Sequence, residues 1–174
     1  QLMISGGVEN MTRGPWVMSK ASAPFGRDQQ LYDSSFGWRF IHPKMKEMYG
    51  VDAMGETAEN LAELHKISRE DQDAFAMYSQ QKASAAQAKG RFDLEIAPLE
   101  IPQKKGDAKI FSQDEFVRKD TNMESLAKLK PAFKSNGTVT AGNASGLNDG
   151  GAAILIASEN GVKQHGLKPL ARIV

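Results

Sequence analysis

The 174-residue sequence contains no cysteine, has almost no net charge and lacks any long hydrophobic run. The first absence excludes a disulfide scaffold, a thiolate zinc site, an iron–sulfur cluster and a thiol nucleophile supplied by this chain. Twenty-two basic side chains stand against 21 acidic ones, a net charge of +1, without the basic excess of a dedicated nucleic-acid binder. The longest apolar stretch, about eight residues around Ala152 to Ala157, falls far short of the roughly 20 that a membrane-spanning helix needs. Neither G-x-G-x-x-G nor G-x-x-x-x-G-K-[ST] occurs, so there is no sequence warrant for a Rossmann or Walker phosphate cradle. His42, His65 and His165 show no i, i+4 pairing, and no metal site is expected. The length suits one domain or a little more.

What is present begins with two interrupted ends. Gln1 to Gly7 reads as a short apolar strand running into a glycine turn, and Pro169 to Val174 reads as another strand. The chain is therefore expected to be an internal piece of a longer protein. Residues 9 to 52 interleave Gly14, Pro15, Pro24, Gly26, Gly37 and Pro43 with Trp16, Phe25, Tyr32, Phe36, Trp38 and Phe40. Such breakers forbid long helices, and that many aromatics imply an ordered, packed excursion. A short helix is expected over Lys44 to Tyr49, stopped at Gly50.

From Gly55 to Lys66, Ala58, Leu61, Ala62 and His65 recur at helical spacing. Ser68 caps a longer helix, with Asp71 three residues on and lysines toward its end. Ala74, Phe75, Tyr78, Lys82 and Ala85 are its expected inner face, and Gly90 its stop. Residues 95 to 101 alternate polar and apolar, with Pro98 limiting them to an edge strand, and Lys104 to Asp107 form a turn. A short helix around Ser125 to Lys130 ends at Pro131. Ala152 to Ala157 is expected as a strand buried on both faces, followed by a helix over Glu159 to His165 and the final strand in a βαβ-like close.

Residues 137 to 151 hold five glycines among small polar residues. Such a backbone either approaches a ligand or another chain segment closely, or simply turns between strands. Arg118, Lys119, Lys128, Lys130 and Lys134 form a basic strip that fits a solvated face, or a phosphate-bearing ligand if one lies beside the glycines. Asn10-Met11-Thr12, Asn136-Gly137-Thr138 and Asn143-Ala144-Ser145 match the glycosylation pattern. With nothing indicating secretion, they read as chance matches.

Five motifs carry a resemblance. Gly6 to Met11, Met54-Gly55-Glu56-Thr57-Ala58-Glu59-Asn60, Ser68 to Ala76, Ala127 to Phe133, and Gly137 to Gly150 resemble the thiolase family, in order and at its spacing. Gly37 to Pro43 and Ile101 to Asp107 resemble its 3-oxoadipyl-CoA branch. Ala53 stands where biosynthetic members have a histidine. The resemblance implies an α/β fold in which a loop domain of helices and short strands is inserted between strands of a mixed core sheet. By that pattern residues 1 to 8 are a core strand, 9 to 145 the loop domain, 146 to 168 the last strand and helix of the N-terminal half, and 169 to 174 the start of the C-terminal half.

The implied activity is cleavage of a 3-oxoacyl-CoA by CoA, in the cytoplasm, by a homodimer or homotetramer. Acetoacetyl-CoA or general 3-ketoacyl-CoA thiolysis, or acyl-CoA binding without catalysis, are the alternatives. Coenzyme A is a substrate, with no permanently bound cofactor and no nucleic-acid or membrane partner. The catalytic cysteines and histidine would lie outside this chain. Carried over by motif, Arg118 approaches the adenine end of CoA, Ser125 and Phe133 line its groove, and Ala141 and Ser145 meet the pantetheine arm. Met54 and Met45 resemble acyl-pocket residues, and Arg39 is the candidate cation for a dicarboxylic acyl arm. Taken alone, Phe133 equally fits a core position, Ser145 its own turn, and Arg39 a structural salt bridge.

Overall fold

The computed structural model describes residues 1–174 and divides into two compact units, Gln1–Tyr49 with Leu147–Val174, and Gly50–Gly146. In the first unit, β1 (Leu2–Glu9) pairs antiparallel with β6 (Gly150–Ala157), residue for residue from Leu2 opposite Ala157 to Glu9 opposite Gly150. The long excursion between them is thus inserted between neighbouring strands. A 3-10 turn at Met11–Arg13 is capped by Asn10, whose side chain accepts the Arg13 N–H at 3.0 Å. Asp149 ties the same turn to the start of β6 by accepting the Thr12 N–H at 2.8 Å. A hairpin of β2 (Trp16–Met18) and β3 (Leu31–Asp33), the helix α1 (Pro43–Tyr49) and α5 (Glu159–His165) complete the unit.

Three expectations are corrected here. The residues of β6 are exposed except for the half-buried Ala157, where burial on both faces was expected. A two-stranded ribbon needs a layer on each side to bury it, and these 174 residues supply none. The aromatics of residues 9 to 52 are not buried: Trp16, Phe25, Phe36, Trp38 and Phe40 are each more than half exposed, and Tyr32 meets Phe40 edge-on. Residues 169 to 174 form no strand, so the βαβ-like close is absent.

The second unit contains α2 (Met54–His65), α3 (Arg69–Ala88), the hairpin of β4 (Leu99–Ile101) and β5 (Lys109–Phe111), and α4 (Met123–Ala127). Ser68 caps α3 as expected, accepting the Asp71 N–H at 3.0 Å, and Gly90 follows its end at φ +69. Strand character begins only at Leu99, after Pro98, which lacks the N–H a ladder needs.

The apolar spacing finds part of the inward face of α2, where Ala62 is buried and Ala58 half-buried, and points α3 to a different face from the one it turns inward. In α2 the buried residues are Gly55, Glu59 and Ala62, while Leu61 and His65 are exposed. In α3, Phe75 and Tyr78 are 74% and 57% exposed, and the inner residue is Asp73 at 2%. The covered stripe of α3 also includes Arg69, Gln72, Gln80 and Gln87. These side chains bind loop backbone: Gln80 accepts the Arg118 N–H at 2.8 Å, and Gln87 donates to the Asp114 carbonyl at 3.2 Å. Unsatisfied loop groups are costly to bury, and these polar side chains satisfy them, while Ala76, Met77 and Ala83 share the half-covered side of α3 and Arg69 reaches the Leu126 carbonyl of α4. The buried apolar residues of this unit are Ala62, Leu126 and Val139. No helix in the chain is long and apolar enough to cross a membrane.

Candidate functional site

The second unit carries a shallow groove of about 590 Å³. One wall comes from α3 through Ser84 and Gln87, the other from the loop holding Arg118, Lys119 and Thr121, and Ser125 of α4 closes it. Gln80 and Gln87 fix that loop from α3, as described above. Thr121 turns it back, its hydroxyl donating to the Arg118 carbonyl at 2.8 Å. The main chain on both sides of the Arg118 guanidinium is therefore held, while the side chain stays exposed. Asp114, Glu115 and Asp120 also line the groove, so its charge is mixed rather than uniformly basic.

Arg118 and Ser125, expected from sequence to face the same ligand, are brought together here. Ser125 also has a local role. Its hydroxyl donates to the Asn122 carbonyl at 2.8 Å, while its N–H donates to the Asn122 side chain at 2.9 Å, a capping arrangement at the start of α4. Of the basic strip, Lys128 pairs with Glu124 at 2.6 Å and Lys134 donates to Asn60 at 2.9 Å. Those two lysines act within the fold.

Phe133 does not line this groove. It is partly exposed, and its ring lies against Gly55 at the start of α2 so closely that a Cβ there would stand 2.2 Å from Cδ1. Next to that contact Met54 is 83% exposed. Ala141 and Ser145 are exposed on the glycine-rich stretch, outside the groove but in the same unit. Arg39 and Met45 belong to the other unit and are exposed, the Arg39 guanidinium donating to its neighbour Gly37 at 3.4 Å.

The glycine-rich stretch resolves the two readings of its composition. Gly137 approaches another chain segment: a Cβ there would meet Glu59 Oε1 at 2.1 Å. The Glu59 carboxylate, 5% exposed, accepts the Val139 N–H at 2.8 Å, the Thr138 N–H at 2.9 Å and the Thr138 hydroxyl at 3.0 Å. Burial pushes its carboxyl upward, but the Val139 and Thr138 N–H groups, the Thr138 hydroxyl and the Lys134 charge outweigh that and hold it below the usual carboxylate range.

On the facing helix, Asp73 accepts Arg69 Nε at 2.8 Å and Asn143 Nδ2 at 2.9 Å. Asn143 in turn accepts the Thr140 N–H at 2.7 Å and donates to the Thr138 carbonyl at 3.1 Å. The glycosylation pattern at Asn143 thus coincides with a side chain engaged inside the fold. Sequence reasoning missed Asp73 and Asn143 as site-building residues, and placed Glu59 in a motif without a task. The detectable signal was Gly55, Glu59 and Ala62 on one side of a helix, a small–acidic–small stripe.

The family description "Thiolase, N-terminal domain" matches residues 1–160. Beta-ketoadipyl-CoA thiolase of Acinetobacter baylyi is 57% identical over 173 residues, covering 99% of this chain and 43% of the relative. The 3-oxoadipyl-CoA/3-oxo-5,6-dehydrosuberyl-CoA thiolase of Escherichia coli is 51% identical over 173 residues, with the same coverage of 99% and 43%. The chain therefore spans less than half the length of the curated relatives it matches.

Human mitochondrial 3-ketoacyl-CoA thiolase superposes with a TM-score of 0.79 at 43% identity, covering 99% of this chain and 42% of that one. The structure of that human enzyme in complex with CoA gives 0.75 at 40% identity, covering 97% and 40%. The fold is the thiolase-like α/β fold. The helix-borne carboxylates, the glycine stretch they hold and the five collinear motifs all lie within the matched span, and the chain belongs to the thiolase family.

Proposed function

We propose that the protein containing this chain is an acyl-CoA:acetyl-CoA C-acyltransferase acting on 3-oxoadipyl-CoA. In the reaction, a thiolate attacks the 3-oxo carbonyl, the bond between the second and third acyl carbons breaks, and acetyl-CoA departs as a carbanion that must be protonated. The remaining four-carbon acyl group passes to the thiol of a second CoA, giving succinyl-CoA. This chain has no cysteine, so the nucleophile and the thiol acid–base group come from elsewhere in the protein. The observation that carries the reading is 57% identity, over nearly the whole chain, to a relative named for beta-ketoadipyl-CoA.

Within this reading the chain contributes the loop domain that holds coenzyme A as a substrate. Arg118 approaches the adenine end and Ser125 lines the cofactor groove, while Phe133, packed against Gly55 outside that groove, is assigned to CoA by the resemblance alone. Ala141 and Ser145 meet the pantetheine arm, where a small side chain and a hydroxyl suit an amide-bearing chain. By the family resemblance, Met54 and, separately, Met45 are acyl-pocket candidates, and Arg39 is the candidate cation for the distal carboxylate. The complete enzyme is a cytoplasmic homodimer or homotetramer.

Thiolysis assays on the complete protein test this, with 3-oxoadipyl-CoA and acetoacetyl-CoA compared at equal concentration. Preference for the dicarboxylic substrate is the expected result. Preference for acetoacetyl-CoA would assign a general 3-ketoacyl-CoA thiolase instead, and binding of CoA without turnover of either would assign a non-catalytic acyl-CoA-binding relative. The 174-residue chain alone is expected to show no thiolysis.

A further inference from the structure

Between residues 137 and 149 the chain forms no helix and no strand, yet the part that precedes and contains Ala141 is fixed at four successive points. Glu59 of α2 holds Thr138 and Val139, and Asp73 of α3 holds Asn143, which spans back to Thr140 and Thr138. Gln72 adds a bond from α3 to the Thr138 hydroxyl at 2.9 Å. Every buried side-chain nitrogen and oxygen in the chain has a partner, so this is a fully satisfied network. Ala141, between Thr140 and Asn143, and Ser145, just after them, are exposed.

Two buried carboxylates are a costly way to anchor a loop. Desolvating an ionised group is unfavourable, and apolar packing of similar volume often gives equal or greater stability. What carboxylates provide and apolar contacts do not is direction. Each oxygen fixes a particular N–H, and with it the backbone dihedrals of the turn.

We propose that Glu59 and Asp73 are positioning residues for coenzyme A binding, acting through Thr138, Val139 and Asn143 to set the turn that presents Ala141 and Ser145 to the pantetheine arm. The inference rests on the assignment of Ala141 and Ser145 made above. Neither carboxylate touches the ligand. Glu59 is an acceptor for main-chain donors, and Asp73 orients Asn143 while Arg69 neutralises it.

The test uses the complete enzyme, with CoA or pantetheine as the acceptor thiol. Pantetheine lacks the nucleotide, so it reports the arm alone. Glu59→Gln keeps an oxygen for the Val139 N–H but loses the charge that strengthens these bonds, and Asn143→Ala cuts the turn from Asp73. Each variant is expected to raise KM for both thiols about 3- to 10-fold, with kcat per folded active site within about two-fold. A merely structural role would instead lower thermal stability or the folded fraction and leave both KM values unchanged, which would overturn the proposal.

The two variants reach the turn from different helices, so loss of folding in one leaves the other to decide. Ala141→Leu separates the failures. If it raises both KM values while Glu59→Gln and Asn143→Ala do not, the positioning role fails alone. If Ala141→Leu also leaves both unchanged, the pantetheine assignment fails and the positioning role falls with it.

Discussion

The ring of Phe133 occupies the space that a side chain at Gly55 would need, with three ring atoms 2.2 to 2.4 Å from where its Cβ would stand. Glycine at the start of α2 is therefore a packing requirement. Gly55→Ala is expected to destabilise the protein by about 1 to 3 kcal/mol through overpacking, since the contact is with ring atoms. Equilibrium urea unfolding measures this. Phe133→Leu combined with Gly55→Ala should recover part of the loss, because the smaller side chain vacates the space.

The Glu59 carboxyl sets a sign for the dependence of stability on acidity. Its folded value lies below the ordinary value of 4.5, so near and below that value the unfolded chain binds more protons than the folded one. Its contribution is complete above the unfolded value and is lost as pH falls through the folded one. Unfolding midpoints measured from pH 6 down to pH 3 should drop more steeply in the parent than in Glu59→Gln. Equal slopes would mean that Glu59 is not the titrating group.

Arg69 ties three groups together. Its Nε holds Asp73 at 2.8 Å, while Nη2 donates to the carbonyls of Leu126 at 2.6 Å and Leu129 at 3.1 Å. Arg69→Met leaves the nearly buried Asp73 without its cation and should cost about 3 to 5 kcal/mol. Arg69→Lys should restore little, because an ammonium on a flexible stem does not reproduce the planar fork. Amide hydrogen exchange should show α4 losing protection in both variants.

Arg118 presents an exposed guanidinium from a main chain that Gln80 and Thr121 hold. Removing the guanidinium should leave the groove intact. In the complete enzyme, Arg118→Ala is expected to weaken CoA by about 1 to 3 kcal/mol if a charge-assisted contact is made, read by calorimetry. Unaltered affinity would take Arg118 out of the binding site.

Arg39 carries the acyl-arm prediction. It forms no ion pair here, its one hydrogen bond being to the Gly37 carbonyl, which leaves its charge available for a carboxylate. Arg39→Ala should reduce kcat/KM for 3-oxoadipyl-CoA about tenfold or more while sparing acetoacetyl-CoA, in keeping with the cost of losing a charged hydrogen bond. An unchanged ratio between the two substrates would assign Arg39 a structural role.

Helix positions were legible in the sequence because their signals are local. Ser68 followed by Asp71 marks the start of α3 and Gly90 its end, and the helix expected over Glu159 to His165 is α5. Which face α3 buries was not legible, since that depends on the partner, and in α2 the spacing found Ala58 and Ala62 but not Glu59. Phe75 and Tyr78 have the spacing of a core stripe, but the side of α3 that meets the protein faces α4 and the loops on either side of it, where Gln80 and Gln87 bond loop backbone, Arg69 bonds the Leu126 and Leu129 carbonyls, and Asp73 bonds Arg69 and Asn143. The same reason hid the grouping of Arg118 with α3, separated from Gln80 by 38 residues.

Sequence alone determined the family, through motifs whose order and spacing survive without coordinates, and it determined that this chain supplies no thiol chemistry, because it has no cysteine. It also indicated that residues 137 to 151 allow a close backbone approach. Only the tertiary structure decided what is approached: Glu59 against Gly137, with Asp73 reaching the same turn through Asn143. Glycine spacing states that a side chain is missing, whereas the group filling that space comes from a helix some 80 residues away. Burial and hydrogen bonding across that separation arise only when the chain folds.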